Sequence, residues 1–322
     1  MNAIDLISVA ASTLRLATPL ILAALAGLFS ERAGIIDIGL EGKLLGAAFA
    51  AAALAAVTGS PWAGLAGAIL VSVAIALLHG YAAITLNGNQ VVSGMAINIL
   101  IAGLTPTLAT AWFDQGGQTP PLTEAQRFGP IGLPFAADIG RVPVLGPIYT
   151  GLLSGHNLLV YLAFLIVPLA AWLLFATRFG LRLRAVGENP HAVDAAGLPV
   201  AGLRYRAILI TGVLAGIGGA YLSIAQGAGF ARDMTAGRGY LALAALIFGR
   251  WRPVPTLLAC LLFAAADAVQ LRLQGVALPV VGIIPVQFVQ ALPYILTVVL
   301  LAGIGGTARA PKAAGVPFVT AR

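Results

Sequence analysis

The 322-residue chain is 60% hydrophobic and only 9% charged, and its mean hydropathy is +0.97. This composition excludes a soluble globular domain and predicts a protein embedded in a lipid bilayer. The formal net charge is +7, but the basic residues stand mainly between apolar runs. The topology rule for cytoplasmic Lys and Arg explains them without a nucleic-acid partner. Cys260 is the single cysteine, so no disulfide can form within the chain.

Apolar runs recur from Leu14 to Gly303 with only short breaks. Because about 20 apolar residues cross the hydrocarbon core as a helix, we predict an all-α polytopic membrane protein with about nine spans (8–10). No convincing cleavage site accompanies the first run, which we interpret as a retained span. The predicted spans are residues 12–30, 44–59, 62–86, 91–113, 157–177, 207–226, 235–249, 254–272 and 283–302, of which the second and seventh are short.

The distribution of Lys and Arg predicts the orientation of the spans. With the N-terminus outside, twelve basic residues fall on the inner side and six on the outer side. This bias favours an external N-terminus and a cytoplasmic C-terminus. The longest loop, Asp114 to His156, then lies outside and is predicted to be an irregular external cap.

The two ends of the chain resemble each other, which indicates an internal repeat. "TGSPWAGL" parallels "FGRWRPVP", and "VVSGMAINILIAGLTPTL" parallels "VVGIIPVQFVQALPYIL". Four spans on each side of one linking span make the halves inverted, a pattern typical of transporters. We therefore predict a single transmembrane domain over residues 1–322. It comprises repeat one (about 12–113), a linking span with a cytoplasmic segment (about 157–206) and repeat two (about 207–302).

Each predicted repeat contains a Gly-rich stretch with rare charges, "ERAGIIDIGLEGK" and "GAGFARDMTAGRGY". In the first, Asp37 and Glu41 share a face if the stretch is helical, but its glycines disfavour an unbroken helix. One interpretation is a broken helix beside a central path, since unwound backbone at membrane depth must be buried or line water. The other is an ordinary cytoplasmic turn with solvated acids and Arg32 or Lys43 as surface partners.

Several polar side chains fall inside otherwise apolar spans. Uncharged amides offer donors and acceptors together and suit a neutral polar solute, although amides also hold membrane helices together. Our hypothesis for the residues that line a translocation path is Asp37, Glu41, Gln90, Ser93, Asn98 and Gln287.

The segment from Arg178 to Arg206 is the one long polar and basic interruption between two apolar spans. Within it, Asn189 is a natural helix cap, Pro190 suits the first turn and Gly197 suits the end. We predict a short helix of about two turns, which is marginal unless something packs on it. The alternatives are a docking helix for a cytoplasmic partner and a solvated connector, and the length, composition and predicted side favour docking.

Motifs for catalysis and cofactor binding are absent from the sequence. There is no G-x-x-x-x-G-K-[ST] phosphate loop, so any ATPase must be a separate subunit. His79, His156 and His191 are scattered, without H-E-x-x-H or C-x-x-C, and no G-x-S-x-G occurs. We expect no enzymatic activity, no cofactor and no metal.

Five segments together resemble the permease subunits of bacterial ABC importers of the ribose and branched-chain amino acid superfamily. The similarity is greatest to the nucleoside-uptake branch, which works with a lipoprotein of the basic membrane protein type. The resemblance implies a permease of the bacterial inner membrane for a small neutral polar solute: a nucleoside or, alternatively, a simple sugar or nucleobase. The segments are "SERAGIIDIGLEGKLLGAAFA", "NQVVSGMAINILIAGLT", "RAVGENPHAVDAAGL", "MTAGRGYLALAALIFGRW" and "LPYILTVVLLAG".

The resemblance also implies the partners: cytoplasmic ATPase subunits, a second permease subunit of the same or a related sequence, and an extracytoplasmic solute-binding lipoprotein. It implies that "GIIDIGLEG" lines the path, although Asp37 stands where relatives commonly carry Asn. "RAVGENPHAVDAAGL" becomes the segment that couples to the ATPase. Its expected coupling residues are Arg184, Gly187, Glu188, Asn189, Pro190, His191, Ala192, Ala195, Ala196 and Gly197.

A self-sufficient secondary transporter is the rival interpretation. It would use the same inverted repeat, would work without an ATPase, and would keep an intramembrane acid such as Asp267 for ion coupling.

Overall fold

A computed structural model of the chain describes residues 3–135, 145–273 and 309–319, with single residues and pairs between 139 and 299. Over these residues it is a helical bundle in which seven helices are long and apolar enough to cross a membrane. The predicted all-α polytopic class is confirmed, and the chain is a multi-pass membrane protein.

The first half of the chain contributes four long helices. They are α1 (Ala3–Arg32), α2 (Leu40–Thr58), α3 (Pro61–Gly80), which continues as a π-helical turn (Tyr81–Thr85), and α4 (Gln90–Phe113). The loop after α4 holds a 3₁₀ turn (Glu124–Gln126), β1 (Pro130–Ile131), α5 (Leu145–Ile148) with a π-helical turn (Tyr149–Leu153), and β2 (His156–Asn157). Strands β1 and β2 pair antiparallel, with Pro130 opposite Asn157.

The second half begins with α6 (Leu158–Ala176), α7 (Arg178–Glu188) and α8 (Pro190–Ala195). It continues with α9 (Val200–Tyr221), a π-helical turn (Leu222–Gln226), α10 (Arg238–Phe248) and α11 (Pro253–Leu273). A two-residue antiparallel pair, β3 (Ala277–Leu278) with β4 (Gly282–Ile283), follows.

Eight of the nine predicted spans match helices whose ends lie within a few residues of the predicted ones. The exceptions are the N-terminal ends of α1 and α9, since both helices begin earlier than predicted. The seventh span was predicted to be short, and α10 has 11 residues. The ninth predicted span, 283–302, lies largely outside the described residues, and so does the path candidate Gln287.

Helices α2 and α9 lie at the centre of the bundle. α9 packs against α1, α2 and α3, and α2 also contacts α4 and α10. Glycines allow this close approach: a Cβ at Gly219 would lie 2.4 Å from Leu44 O, and one at Gly216 would lie 2.7 Å from Ile69 Cα. The start of α2 is thereby held deep in the protein, next to the start of α10.

Candidate functional site

The stretch between α1 and α2, residues 33–39, is not helical and is buried in the protein. Gly34 has a φ of +85°, and the side chains of Asp37 and Lys43 are fully buried and form an ion pair. The chain is therefore broken and buried at this point, and the solvated turn with Lys43 on the surface is wrong. Asp37 and Glu41 do not share a helical face either, because α2 begins only at Leu40.

The charge state of Asp37 follows from its neighbours. Burial alone would raise the pKa of this carboxyl, but the charge of the Lys43 ammonium and its hydrogen bond to the carboxyl outweigh burial and lower the pKa below its ordinary value. The His79 Nε2 lies 3.9 Å from the Asp37 Oδ1. Asp37 is therefore an ionised, internally paired carboxylate.

Gln90, Ser93 and His79 fix the backbone of the broken stretch at Ile36. The Ile36 N–H donates to the Gln90 Oε1 at 2.7 Å. The His79 Nε2 lies 3.1 Å from the Ile36 carbonyl, and its Nδ1 lies 3.1 Å from the Ser93 hydroxyl. A tautomer protonated on Nε2 donates to that carbonyl and accepts from Ser93. Sequence reasoning selected Gln90 and Ser93 but missed His79. His79 lies on α3 and Ser93 on α4, so their contact is not visible in the sequence spacing.

Asn98 connects the broken stretch to α2 and to α10. Its Nδ2 donates to the Ile38 carbonyl at 3.0 Å and to the Tyr240 hydroxyl at 2.9 Å. Its Oδ1 accepts from the Gly42 N–H at 2.8 Å. Both amide hydrogens are thus used inside the protein.

Glu41 joins the first broken stretch to the second. Its carboxylate accepts the main-chain N–H of Gly237 at 2.8 Å and that of Gly239 at 2.6 Å. Gly237 is the N-cap residue of α10, and Gly239 lies in the first turn of this helix, which begins at Arg238. A carboxylate at this position satisfies N–H groups that the helix cannot pair itself and complements the helix dipole.

A cavity of about 310 Å³ lies where these elements meet. Among the predicted path residues, Glu41 and Asn98 line it, while Asp37, Gln90 and Ser93 lie outside its lining and hold the broken stretch. Asp267, on α11, does not line it either. Its other lining residues, missed by sequence reasoning, include Leu45, Ile99, Ala102, Asp233, Thr235 and Tyr240.

The short helix predicted after Asn189 is present as α8. The Asn189 Oδ1 accepts the Ala192 N–H at 3.1 Å, Pro190 is in the first turn, and Gly197 has a φ of +75°. Val193 packs into a small apolar cluster with Val186, so the helix is held to the bundle rather than being solvated on all sides. The exposed coupling candidates are Glu188, Asn189, His191, Ala192, Ala195, Ala196 and Gly197.

The segment before α8 was predicted to be loop and is instead the helix α7. Its Leu183 and Val186 are buried, and this tertiary burial stabilises a sequence whose charges suggested a connector. The coupling candidate Gly187 is also buried. A Cβ there would lie 2.2 Å from the Arg32 carbonyl oxygen. Arg184 places its guanidinium 4.8 Å from the centre of the Phe175 ring.

The C-terminal segment, residues 309–319, runs between the α7–α8 segment and the broken stretch. The Ala313 N–H donates to the Gly187 carbonyl at 2.8 Å, and the Gly315 N–H donates to the Gly34 carbonyl at 3.2 Å. The Phe318 ring centre lies 5.1 Å from that of His191. The C-terminal segment, the first broken stretch and α8 therefore lie on the same side of the bundle.

Comparison with known proteins decides the family. Residues 9–309 match the family described as the permease component of the branched-chain amino acid transport system. The chain belongs to this permease family. It is thus a transport component, as the resemblance implied.

Three curated relatives of the permease are similar over most or all of its length. It is 35% identical to the nucleoside ABC transporter permease protein NupC of Lactococcus lactis, with 100% of both chains covered. It is 37% identical to the guanosine ABC transporter permease protein NupQ of Bacillus subtilis, with 99% of both covered. It is 35% identical to the putative glucose ABC transporter permease protein TsgC13 of Haloferax volcanii, with 90% of this chain and 89% of the relative covered.

Proposed function

We propose that the chain is the permease subunit of an ABC importer and forms the translocation path for a nucleoside. The observation that carries this proposal is the end-to-end similarity to the two permeases named for nucleoside and guanosine transport. The proposed partners are cytoplasmic ATPase subunits, a second permease subunit and an extracytoplasmic solute-binding lipoprotein, in the bacterial inner membrane.

The cavity at Glu41, Asn98 and Tyr240 is the proposed part of the path contributed by this chain. Among its described lining residues there are two carboxylates, of Glu41 and Asp233, and no Lys or Arg. An anionic solute such as a nucleotide would be repelled there, whereas a neutral nucleoside would not. The cavity also lies where the two Gly-rich breaks meet, the position expected of a binding site in a transporter made of inverted repeats.

The exposed side of α8 is the proposed docking surface for the ATPase. The N-terminus is then outside and the C-terminus cytoplasmic, together with α8 and the first broken stretch. ATP binding would favour one arrangement of α8, and the inverted repeats would move with it. Differential contact with the two nucleotide states of the ATPase supplies the bias that such a population shift requires.

Uptake by the complete transporter tests the solute. Cells that express the permease with its ATPase and binding protein should accumulate labelled guanosine, adenosine or uridine, and excess unlabelled nucleoside should compete. The relative named as a putative glucose permease makes a simple sugar the second candidate, so labelled glucose and ribose are measured in parallel. Accumulation of sugar alone would refute the nucleoside assignment.

Purified permease in liposomes, without the other subunits, tests the energy source. No uptake is expected under a proton or sodium gradient. Gradient-driven uptake by this chain alone would favour the rival secondary transporter and overturn the ABC assignment.

The docking surface is tested with a matched pair of Ala→Arg variants. Ala195→Arg places a long charged side chain on the exposed side of α8, while Ala125→Arg makes the same change on the exposed 3₁₀ turn of the loop after α4. Ala195→Arg should reduce co-purification of the ATPase about tenfold or more, since a single disruptive change at an interface costs about 1–3 kcal/mol. Ala125→Arg should leave co-purification unchanged. Equal co-purification with both variants would place the ATPase elsewhere.

A further inference from the structure

Asn98 and Glu41, two polar residues of the cavity lining, are held by hydrogen bonds within the protein. Both amide hydrogens of Asn98 are donated to Ile38 and Tyr240, and each oxygen of Glu41 accepts a main-chain N–H of the α10 start. Asn98 has no amide hydrogen left for a solute, and the Glu41 and Asp233 carboxylates of the lining can only accept hydrogen bonds. Recognition of the flat face of a solute must depend on another kind of surface.

The ring of Tyr240 is the aromatic surface among the described residues of the cavity lining. The residue is 43% exposed, and it stands in the first turn of α10. Its hydroxyl receives the Asn98 hydrogen bond at 2.9 Å, while the start of its helix is held by Glu41. The ring is therefore positioned at both ends before any solute arrives, which lowers the ordering cost of binding.

Apolar side chains complete the cavity around this ring. Leu45 and Ala102 line it, together with Ile99, which is 71% exposed. The volume of about 310 Å³ falls at the small end of the range for small-molecule sites, about 300–1,000 Å³. An aromatic face with aliphatic neighbours suits a flat, neutral, π-bonded group, since every nucleobase has a π face that stacks on aromatic side chains.

We propose that the base of a transported nucleoside stacks on the Tyr240 ring in this cavity, so that Tyr240 is a specificity-determining residue of the path. The inference rests on the proposed function and adds the residue and the part of the solute that it contacts.

The test uses the complete transporter in proteoliposomes with saturating solute-loaded binding protein. The variants are Tyr240→Leu, which removes the ring, Tyr240→Phe, which keeps it, and Tyr81→Leu, the same change at a 53% exposed tyrosine outside the cavity lining. Nucleoside uptake per ATP hydrolysed should fall about tenfold in Tyr240→Leu, the size of effect that loss of base stacking has elsewhere. Tyr240→Phe and Tyr81→Leu should stay within about twofold of wild type.

A pair of solutes separates stacking on the base from contact with the sugar. Uridine and 5,6-dihydrouridine share the ribose and the hydrogen-bonding groups, but the saturated base has lost its aromatic π system. Wild type should transport uridine in preference, and Tyr240→Leu should lose that preference. Loss of activity in Tyr240→Leu with the preference intact would overturn the proposal, and so would an equal defect in Tyr240→Phe.

Co-purification of the ATPase with each variant shows that the complex has assembled. If wild type transports no nucleoside at all, the proposed function fails. If wild type transports nucleosides and Tyr240→Leu transports them equally well, the stacking proposal alone fails.

Discussion

Glu41 accepts a hydrogen bond at 2.6 Å from the main-chain N–H of Gly239, so the start of α2 is attached directly to the start of α10. The second oxygen of the same carboxylate accepts the Gly237 N–H at 2.8 Å. The end of the second irregular stretch, 227–237, and the start of α10 are therefore held by the helix that follows the first irregular stretch, 33–39. Movement of α10 relative to α2 must strain or break this contact.

Removal of the Glu41 carboxylate should destabilise the protein and impair transport. Hydrogen bonds to charged groups contribute about 1.5–3 kcal/mol, and Glu41→Ala also leaves two N–H groups without their acceptor. We expect a lower unfolding temperature in detergent and loss of uptake for Glu41→Ala, and a smaller effect for Glu41→Gln, whose amide oxygen can still accept. Glu124→Gln, at an exposed acid in the 3₁₀ turn, is the control. A Glu41→Ala protein that unfolds at the wild-type temperature would contradict this role.

Gly239 should not tolerate a side chain. A Cβ there would lie 2.5 Å from the Glu41 N and 2.7 Å from its Cα, so the backbone of α2 or α10 would have to move. Overpacking of this kind costs about 1–3 kcal/mol, and the movement would also deform the cavity. Gly239→Ala should therefore reduce both the unfolding temperature and uptake.

Gly103→Ala is the matched control for Gly239→Ala. Nothing lies within 4 Å of a Cβ at Gly103, in the middle of α4. Ala is favoured over Gly in a helix by about 0.5–1 kcal/mol, so this variant should be as stable as wild type or more stable. Similar losses in both variants would show that the close contact with Glu41 is not the cause.

Local signals explain which parts of the site the sequence could predict. The start of α8 was predicted correctly because Asn189, Pro190 and Gly197 act on neighbouring backbone, and such caps do not depend on the rest of the fold. The break before α2 was predicted for the same reason, from its glycines. The long spans were predicted because the length of an apolar run by itself indicates that it crosses the bilayer.

The remaining features depend on contacts that join distant parts of the chain. The acceptor role of Glu41 requires α10 to lie beside α2, and the role of His79 requires the Ile36 carbonyl to face α3. One of the two interpretations of the sequence placed Lys43 at the surface, whereas the fold buries it against Asp37. Helix α7 was missed because its helical state depends on burial of Leu183 rather than on its own charges.

Removing one partner of the buried Asp37–Lys43 pair should destabilise the protein more than replacing both partners. Loss of one partner from a buried ion pair leaves an uncompensated charge and costs about 3–5 kcal/mol. Asp37→Asn and Lys43→Met should each lower the unfolding temperature strongly, while the double variant Asp37→Asn/Lys43→Met should recover most of the loss. A double variant no more stable than the singles would show that the charges are not coupled.

The same ion pair predicts that Asp37 adds no pH dependence to the unfolding temperature in mild acid. Because the pKa of Asp37 is lowered from its ordinary value of 3.8, its contribution to stability is present above that pH and is lost only as the pH falls through the lower value. Unfolding temperatures measured from about pH 5 to pH 8 should therefore show no transition that Asp37→Asn removes. A transition in that range that disappears in the variant would mean that the Asp37 pKa is raised.

The C-terminal segment should transmit movement of α8 to the broken stretch through Gly315. Its N–H donates to the Gly34 carbonyl, and a Cβ on Gly315 would lie 2.9 Å from the Ile36 Cδ1. Gly315→Ala should therefore displace the Ile36 side chain and lower uptake per ATP hydrolysed. The ATPase should still co-purify, since the exposed side of α8 is unchanged.

Gly59→Ala separates this contact from simple backbone strain. Gly59 and Gly315 have φ values of +73° and +77°, so alanine costs a similar amount of left-handed strain at each, about 1–2 kcal/mol. Nothing lies within 4 Å of a Cβ at Gly59. The two variants should therefore lose similar stability in thermal unfolding, but only Gly315→Ala should uncouple ATP hydrolysis from uptake, because only its new methyl group reaches the broken stretch. Equal coupling in the two variants would mean that residues 309–319 pack on the bundle without transmitting its movement.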